Sequence, residues 1–240
     1  MFETSFQKFF KESLLLSEGG NMFEGTIPIN KEEVIPTVKS LEKLTGMSLL
    51  NSMLGSTGKA ATSGDIDLVI DEKEVNKDSF IKDLVNKGVN PADLKKTGIE
   101  VGYKAPIIDA AGNKTEKYVQ VDFMFHGDPE YLKFYYASNE MPPYKGVHRN
   151  ITMSALAKTK GLLLSMKGLF ERETERETKT FISRDPNIIA KRVLGEDATV
   201  EDLKNIPSLM SYLKSHYSPE EVREMVKDAE NKIEMELPLL

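Results

Sequence analysis

The sequence contains no cysteine. Disulfides, zinc–thiolate centres, iron–sulfur clusters and cysteine nucleophiles are therefore excluded. Its three histidines, His126, His148 and His216, are too few and too scattered for a histidine-rich metal site. No stretch approaches the roughly 18 consecutive apolar residues of a membrane-spanning helix. The longest apolar run near the start is Leu14-Leu15-Leu16, and Glu3 stands where a signal peptide would be basic, so a cytoplasmic location without membrane partners is expected. A basic excess is missing too. Residues 1–150 hold 18 basic and 22 acidic side chains and the remainder 14 and 16, so the halves carry −4 and −2 of a total −6. This argues against a protein that coats nucleic acid by electrostatics alone, but not against one that binds a nucleic-acid end, or a nucleotide through metal ions.

What is present is an ordinary globular composition, 40% apolar and 29% charged over 240 residues. A chain of this length buries roughly 70–75% of its unfolded surface and needs no staples. Phe2, Phe6, Phe9, Phe10 and Leu14 recur at helical spacing, and Gly19-Gly20 ends that segment. Asn30 with Glu33 reads as a capping box opening a second helix, striped by Val34, Val38, Leu41 and Leu44 and closed by Gly46. The period then changes. Leu49 to Leu54 and Asp65 to Ile70 read as strands around a small-residue loop, and Asn76 to Lys87 as a helix. Ile99 to Ile107 and Lys117 to Phe125 read as a hairpin. Beyond Pro129 the pattern is helical, with Val147 to Gly168 the longest candidate. Helix starts are read at Asp185-Pro186, Thr199 and Ser218-Pro219. The Glu-Arg-Glu-Thr repeat within Phe170 to Thr180 reads as a solvated helix face or a hairpin. The expected architecture is α/β of the α+β kind: a short mixed or antiparallel sheet backed by helices over residues 1–140, then a helical domain over 141–240.

The stretch that carries chemistry runs from Met53 to Ile70. On a strand, residues two apart share a face, so Asp65 and Asp67 project together while Ile66 and Leu68 enter the core. Two such carboxylates repel unless a cation lies between them, and magnesium selects oxygen ligands of this kind. In Val119 to Phe125 the odd positions are apolar, which puts Asp122 on the opposite face between Gln120 and Met124. If the two strands are neighbours, three carboxylates converge, the arrangement needed to hold two metal ions about 3.5–4 Å apart. In the loop, Gly55, Gly58 and Gly64 let backbone amides approach an anion. Ser56, Thr62 and Ser63 offer hydroxyls, and Lys59 a charge. This is not a P-loop, because Met53 and Ala60 stand where glycine and Ser or Thr are required. It is not an EF-hand, because Val69 and Ile70 stand where a ligand and a glycine are required.

Leu54-Gly55-Ser56, an eight-residue gap, Asp65-Ile66-Asp67 and the strand-borne Asp122 resemble the signature of the DNA polymerase beta nucleotidyltransferase superfamily. The likeness spans about residues 50–126. The gap is slightly short for the family, and Tyr144 to Asn150 resembles phage-encoded members, for which the location would be the host cytoplasm. The resemblance implies transfer of a nucleoside monophosphate from a nucleoside triphosphate such as ATP to a hydroxyl, with release of pyrophosphate and two Mg2+ ions (or Mn2+) as cofactors. Asp65 and Asp67 would hold both ions, Asp122 would hold one beside the acceptor hydroxyl, and Ser56 would touch the β- and γ-phosphates. The acceptor is left open among a nucleic-acid end (RNA before duplex DNA), a protein and a small molecule. A triphosphate needs positive charge beyond Lys59. Lys145, Arg149 and Asn150 are candidates from the start of the helix after residue 147, and Lys158 from the edge of its apolar face, although Arg149, Lys160 and Lys167 also read as a solvated face. Tyr135, Tyr136 and Tyr144 could stack on a base or pack a core, and His126 and His148 read as structural. Two rivals stand beside this reading: a silent nucleotide-binding member of the same fold, and an Asp-x-Asp glycosyltransferase, which would place a larger nucleotide-binding domain before the motif.

Overall fold

The structure, a computed structural model, describes residues 22–137, 143–173 and 178–238. The expected helix between Phe2 and Leu14 and the centre of the Glu-Arg-Glu-Thr repeat lie outside these residues. The fold is mixed α and β, and it divides after Gly127 into two compact units, with Leu54–Ser56 grouped with the second. No helix among the described residues is long and apolar enough to cross a membrane.

The first unit is built on a four-stranded mixed sheet. In chain order its elements are β1 (Ile29–Asn30), α1 (Lys31–Thr45), β2 (Thr62–Ser63), β3 (Asp65–Asp71), α2 (Lys77–Asn86), β4 (Leu94–Thr97), β5 (Glu100–Ile108) and β6 (Lys114–His126). The spatial order is β3-β6-β5-β4, with β3 parallel to β6 and the other pairs antiparallel, while β1 and β2 form a small separate ladder. Helix α1 follows the expected signals. The Glu33 carboxylate accepts the Asn30 amide at 3.1 Å, and Gly46 ends the helix at φ 81°. Val34, Val38 and Leu41 of α1, Phe80 and Leu84 of α2, and Val119, Val121, Phe123 and Phe125 of β6 belong to one core. Phe80 meets Phe123 and Phe125 edge-on, with centroids at 4.9 and 5.4 Å, a geometry that adds to the burial itself.

Two segments differ from the sequence reading. Leu49 to Leu54 is not a strand but a 3-10 turn over Leu50–Ser52, with an isolated bridge from Met53 to Leu68. The cause is Glu42 of α1, whose Oε1 accepts the amides of Leu49 and Leu50 at 2.7 and 3.1 Å and so takes donors that a strand neighbour would use. Strand β4 was not anticipated. It is an edge strand whose Lys95 and Lys96 hide the alternation, a common protection against unwanted pairing.

The second unit holds α3 (Pro129–Tyr135), α4 (Gly146–Thr159), β7 (Leu162–Ser165), β8 (Gly168–Glu173), β9 (Thr178–Ser183), α5 (Pro186–Val193), α6 (Ile206–His216) and α7 (Pro219–Ile233). It is not purely helical, because β7, β8 and β9 form an antiparallel sheet. The helix expected to reach Gly168 stops at Thr159. Gly161 adopts φ 70° and the chain reverses again at Gly168, φ 127°, leaving Leu162 to Leu164 as a strand. Of the Glu-Arg-Glu-Thr repeat, the described ends Glu171–Glu173 and Thr178 lie in the paired strands β8 and β9. Helix α3 sits on this side of the boundary, earlier than residue 140, since Tyr131 is buried in the second core and its hydroxyl donates to the Ser165 carbonyl.

At the end of α6, His216 stacks on Tyr212 at 4.0 Å, and its Nε2 lies 2.8 Å from Asp197 Oδ2. The Tyr212 carbonyl and then Asp197 raise its pKa above the ordinary value. A raised pKa means that the protonated ring stabilises the fold below the ordinary histidine range, and that this contribution disappears as pH rises through the raised value. The melting temperature of the wild type, relative to a His216→Gln variant, is accordingly expected to fall between about pH 6 and pH 8. Parallel melting curves across that range would contradict it.

Candidate metal centre

Strand β3 alternates as expected. Ile66, Leu68 and Ile70 are buried in the core, and Asp65 and Asp67 stand on the other face. The conditional step of the sequence argument is met by the pairing. β3 and β6 are parallel neighbours, with Asp67 directly opposite Asp122 and Asp65 opposite Gln120. Ligand oxygens of Asp65, Asp67 and Asp122 all lie within 4.8 Å of one another.

Burial raises the pKa of all three carboxyl groups. Asp65 is pushed up to about 7 by burial, then by Asp122 and Glu100. Asp67 is pushed up by burial and by the charges of Asp65, Asp122 and Glu100. Asp122 rises through burial, partly opposed by the hydrogen bond from Gln120. Asp122 is 7% exposed, and its Oδ1 has no hydrogen-bond partner among the described residues. A buried orphan acceptor beside two further carboxylates is costly unless a positive charge completes it. An all-oxygen donor set of this kind fits a hard divalent cation such as Mg2+.

Sequence reasoning missed two members of this surroundings. Glu100, the first residue of β5, is raised by burial and by Asp122, which makes it a fourth acid beside the cluster. The signal was legible, since Glu100, Gly102 and Lys104 alternate with Val101, Tyr103 and Ala105. The second is Thr57. Its neighbour Ser56 attracted attention, but it is buried Thr57 whose Oγ1 accepts the Asp67 amide at 3.1 Å. Thr57→Val keeps the shape and removes the acceptor, so it is expected to lower the unfolding free energy by about 1–2 kcal/mol, with Thr57→Ser near wild type. Urea titration decides this, and equal midpoints for both variants would contradict it.

The remaining candidates are placed as follows. Thr62 and Ser63 form β2 against β1, and Gly64 leads directly into β3, so these three end the loop just before Asp65. Ser63 is buried, and Thr62 and Lys59 are exposed. Gly58 needs its glycine, for its φ is 71°, a backbone conformation that L side chains rarely adopt. Gly55, at φ 58°, and Ser56 are grouped with the second unit.

Lys145, Arg149 and Lys158 also belong to the second unit. Lys145 is exposed at the start of α4, where its amide donates to His148 Nδ1 at 3.3 Å. Lys158 reaches Asp228 Oδ2 at 3.4 Å, a carboxylate it shares with Lys232. Arg149 is corrected more sharply. It is neither on a solvated face nor reaching into open space, because its buried guanidinium donates to the carbonyls of Leu203, Phe134 and Tyr135. Tyr135 and Tyr144 pack against the second core, in line with the packing alternative.

Comparison with known proteins returns no matching family model and no significantly similar curated sequence.

Proposed function

We propose that the first unit is the catalytic unit of a divalent-cation-dependent nucleotidyltransferase, which moves a nucleoside monophosphate from a nucleoside triphosphate to an acceptor hydroxyl. The observation that carries this reading is the in-register parallel pairing of β3 with β6. It puts ligand oxygens of Asp65, Asp67 and Asp122 within 4.8 Å of one another and leaves a buried Asp122 oxygen without a partner among the described residues. Asp65 and Asp67 would hold both cations and Asp122 one of them. Bound there, the cations would supply charge neutralisation of the phosphates and activation of the acceptor oxygen. The acceptor oxygen forms a bond to the α-phosphorus, the bond from the α-phosphorus to the bridging oxygen breaks, and pyrophosphate leaves. Asp122 would take the hydroxyl proton. The resemblance of Leu54-Gly55-Ser56 and Asp65-Ile66-Asp67 to the polymerase beta superfamily supports the same reading, with Lys59 and Thr62–Gly64 of the first unit assigned to the phosphates.

The test is label transfer. The full-length protein is incubated with each α-labelled nucleoside triphosphate, Mg2+, and separate RNA, DNA-end, protein and small-molecule fractions. Label entering one fraction, and lost in Asp122→Ala, is the expected result and names the acceptor class. Metal-dependent triphosphate binding without transfer to any fraction would replace the enzyme by a binding protein. No binding at all would overturn the reading.

A further inference from the structure

We propose that Gln120 is the positioning residue of this centre, and that it latches the segment Met22–Ile27 to the metal carboxylate. The inference rests on the metal reading above. Gln120 is 5% exposed, and both ends of its amide are engaged. Nε2 donates to Asp122 Oδ2 at 2.8 Å, and Oε1 accepts the backbone amide of Met22 at 2.8 Å. Only one orientation of the amide satisfies both, because a carboxylate cannot donate and a backbone N–H cannot accept. The Met22 amide therefore selects the flip that presents N–H to Asp122. With Oδ2 held, Oδ1 is the oxygen left over, and it is the buried atom without a partner among the described residues.

The segment itself is tied to the sheet at further points. Lys95 Nζ donates to the Met22 carbonyl, Lys104 Nζ donates to the Glu24 carbonyl at 2.6 Å, and the Ile27 amide donates to the Tyr118 carbonyl at 2.9 Å. It crosses the sheet at Gly102, the β5 residue opposite Asp122. There a Cβ would lie 2.2 Å from the Met22 sulfur and 3.3 Å from the Phe23 ring. The absence of a side chain at Gly102 thus makes room for the segment next to the metal carboxylate. Residues that orient a metal ligand in this way commonly contribute ten- to hundredfold in metal affinity.

The experiment is Mn2+ binding to the full-length protein, read by electron paramagnetic resonance, for the wild type, Gln120→Leu, Met22→Pro, Met22→Ala and Asp122→Asn. Gln120→Leu keeps the volume and removes the donor, so Mn2+ affinity is expected to fall about 10- to 100-fold while far-UV circular dichroism is unchanged. Met22→Pro removes the N–H that fixes the flip, together with the thioether over Gly102, and a several-fold loss is expected, with Met22→Ala, which loses the thioether but keeps the N–H, near wild type. Met22→Pro leaves the core intact and keeps the proposal testable if Gln120→Leu does not fold. Wild-type affinity in both Gln120→Leu and Met22→Pro would overturn the role of Gln120 and leave the metal site standing. Failure of the wild type itself to bind Mn2+ would overturn the metal reading and this inference with it.

Discussion

Asp67→Asn is expected to make the metal-free protein more stable and, under the proposed function, to reduce nucleotidyl transfer by at least about 10³-fold, more than the loss of an orienting partner alone. Asp67 lies within reach of Asp65 and Asp122 and is raised by burial and by both charges, so its ionised form works against folding in the absence of a cation. The amide has the same shape and removes one of the mutually repelling charges. The pH dependence has a definite sign. Asp65, pushed up to about 7, binds its proton more tightly folded than unfolded. Its favourable contribution is complete below the ordinary carboxylate range and is lost as pH rises toward 7. The metal-free wild type should therefore lose up to about 1.4 kcal/mol of stability per pH unit through that window, and Asp67→Asn less. Saturating Mg2+ should reverse the loss above pH 7, by about 2.7 kcal/mol at a hundred times its Kd. Thermal melts with and without Mg2+ between pH 4.5 and 8 measure all of this. A wild type indifferent to both pH and Mg2+ would mean that the three carboxylates are neither crowded nor completed by a cation.

The centre was legible in the sequence because it rests on strand periodicity. An Asp-x-Asp pair flanked by Ile66 and Leu68, and an Asp122 set among odd-numbered apolar residues, each fix a face without knowledge of the partner strand. The pairing of β3 with β6 is non-local, so it had to come from the structure. Glu100 escaped notice although the β5–β6 hairpin was legible, because its nearness to Asp122 depends on the register of that pairing, which sets Gly102 opposite Asp122. Thr57 escaped because a loop hydroxyl gives no periodic signal, and its role is set by one hydrogen bond to Asp67.

In the second unit the misreadings share a different cause. Leu162-Leu163-Leu164 fits a helical stripe as well as a buried strand, and a short apolar run does not distinguish the two by period. The signals that decide it, Gly161 and Gly168, are turn residues at left-handed φ, and neither breaks the 3.6-residue pattern strongly enough to be read alone. Arg149 shows the limit of the helical wheel. Its place opposite the apolar face pointed to solvent, but α4 is covered on that side too, by the ends of α3 and the turn at Val200–Leu203.

That covering makes Arg149→Leu the second large effect. The guanidinium donates to Leu203 O at 2.5 Å, Phe134 O at 3.2 Å, Tyr135 O at 3.3 Å and Asn150 Oδ1 at 3.1 Å, and it lies 5.0 Å over the Phe134 ring. Burial pulls its pKa down to about 10, which still leaves it charged at neutral pH. Leucine would fill part of the space and leave three carbonyls of the second unit without their donor. Each orphaned acceptor costs about 1–3 kcal/mol, and because they share one donor the sum is expected near 3–5 kcal/mol. Arg149→Lys keeps the charge but not the planar fork, so one ammonium cannot serve carbonyls approached from several directions, and an intermediate loss is expected. Urea unfolding followed by far-UV circular dichroism reads both variants. Steady-state kinetics on the folded fraction separates this bracing role from the phosphate contact that the position of Arg149 at a helix start first indicated. A large stability loss with an unchanged triphosphate KM is the expected pair of results. Unchanged unfolding with a raised KM would instead assign Arg149 to the triphosphate.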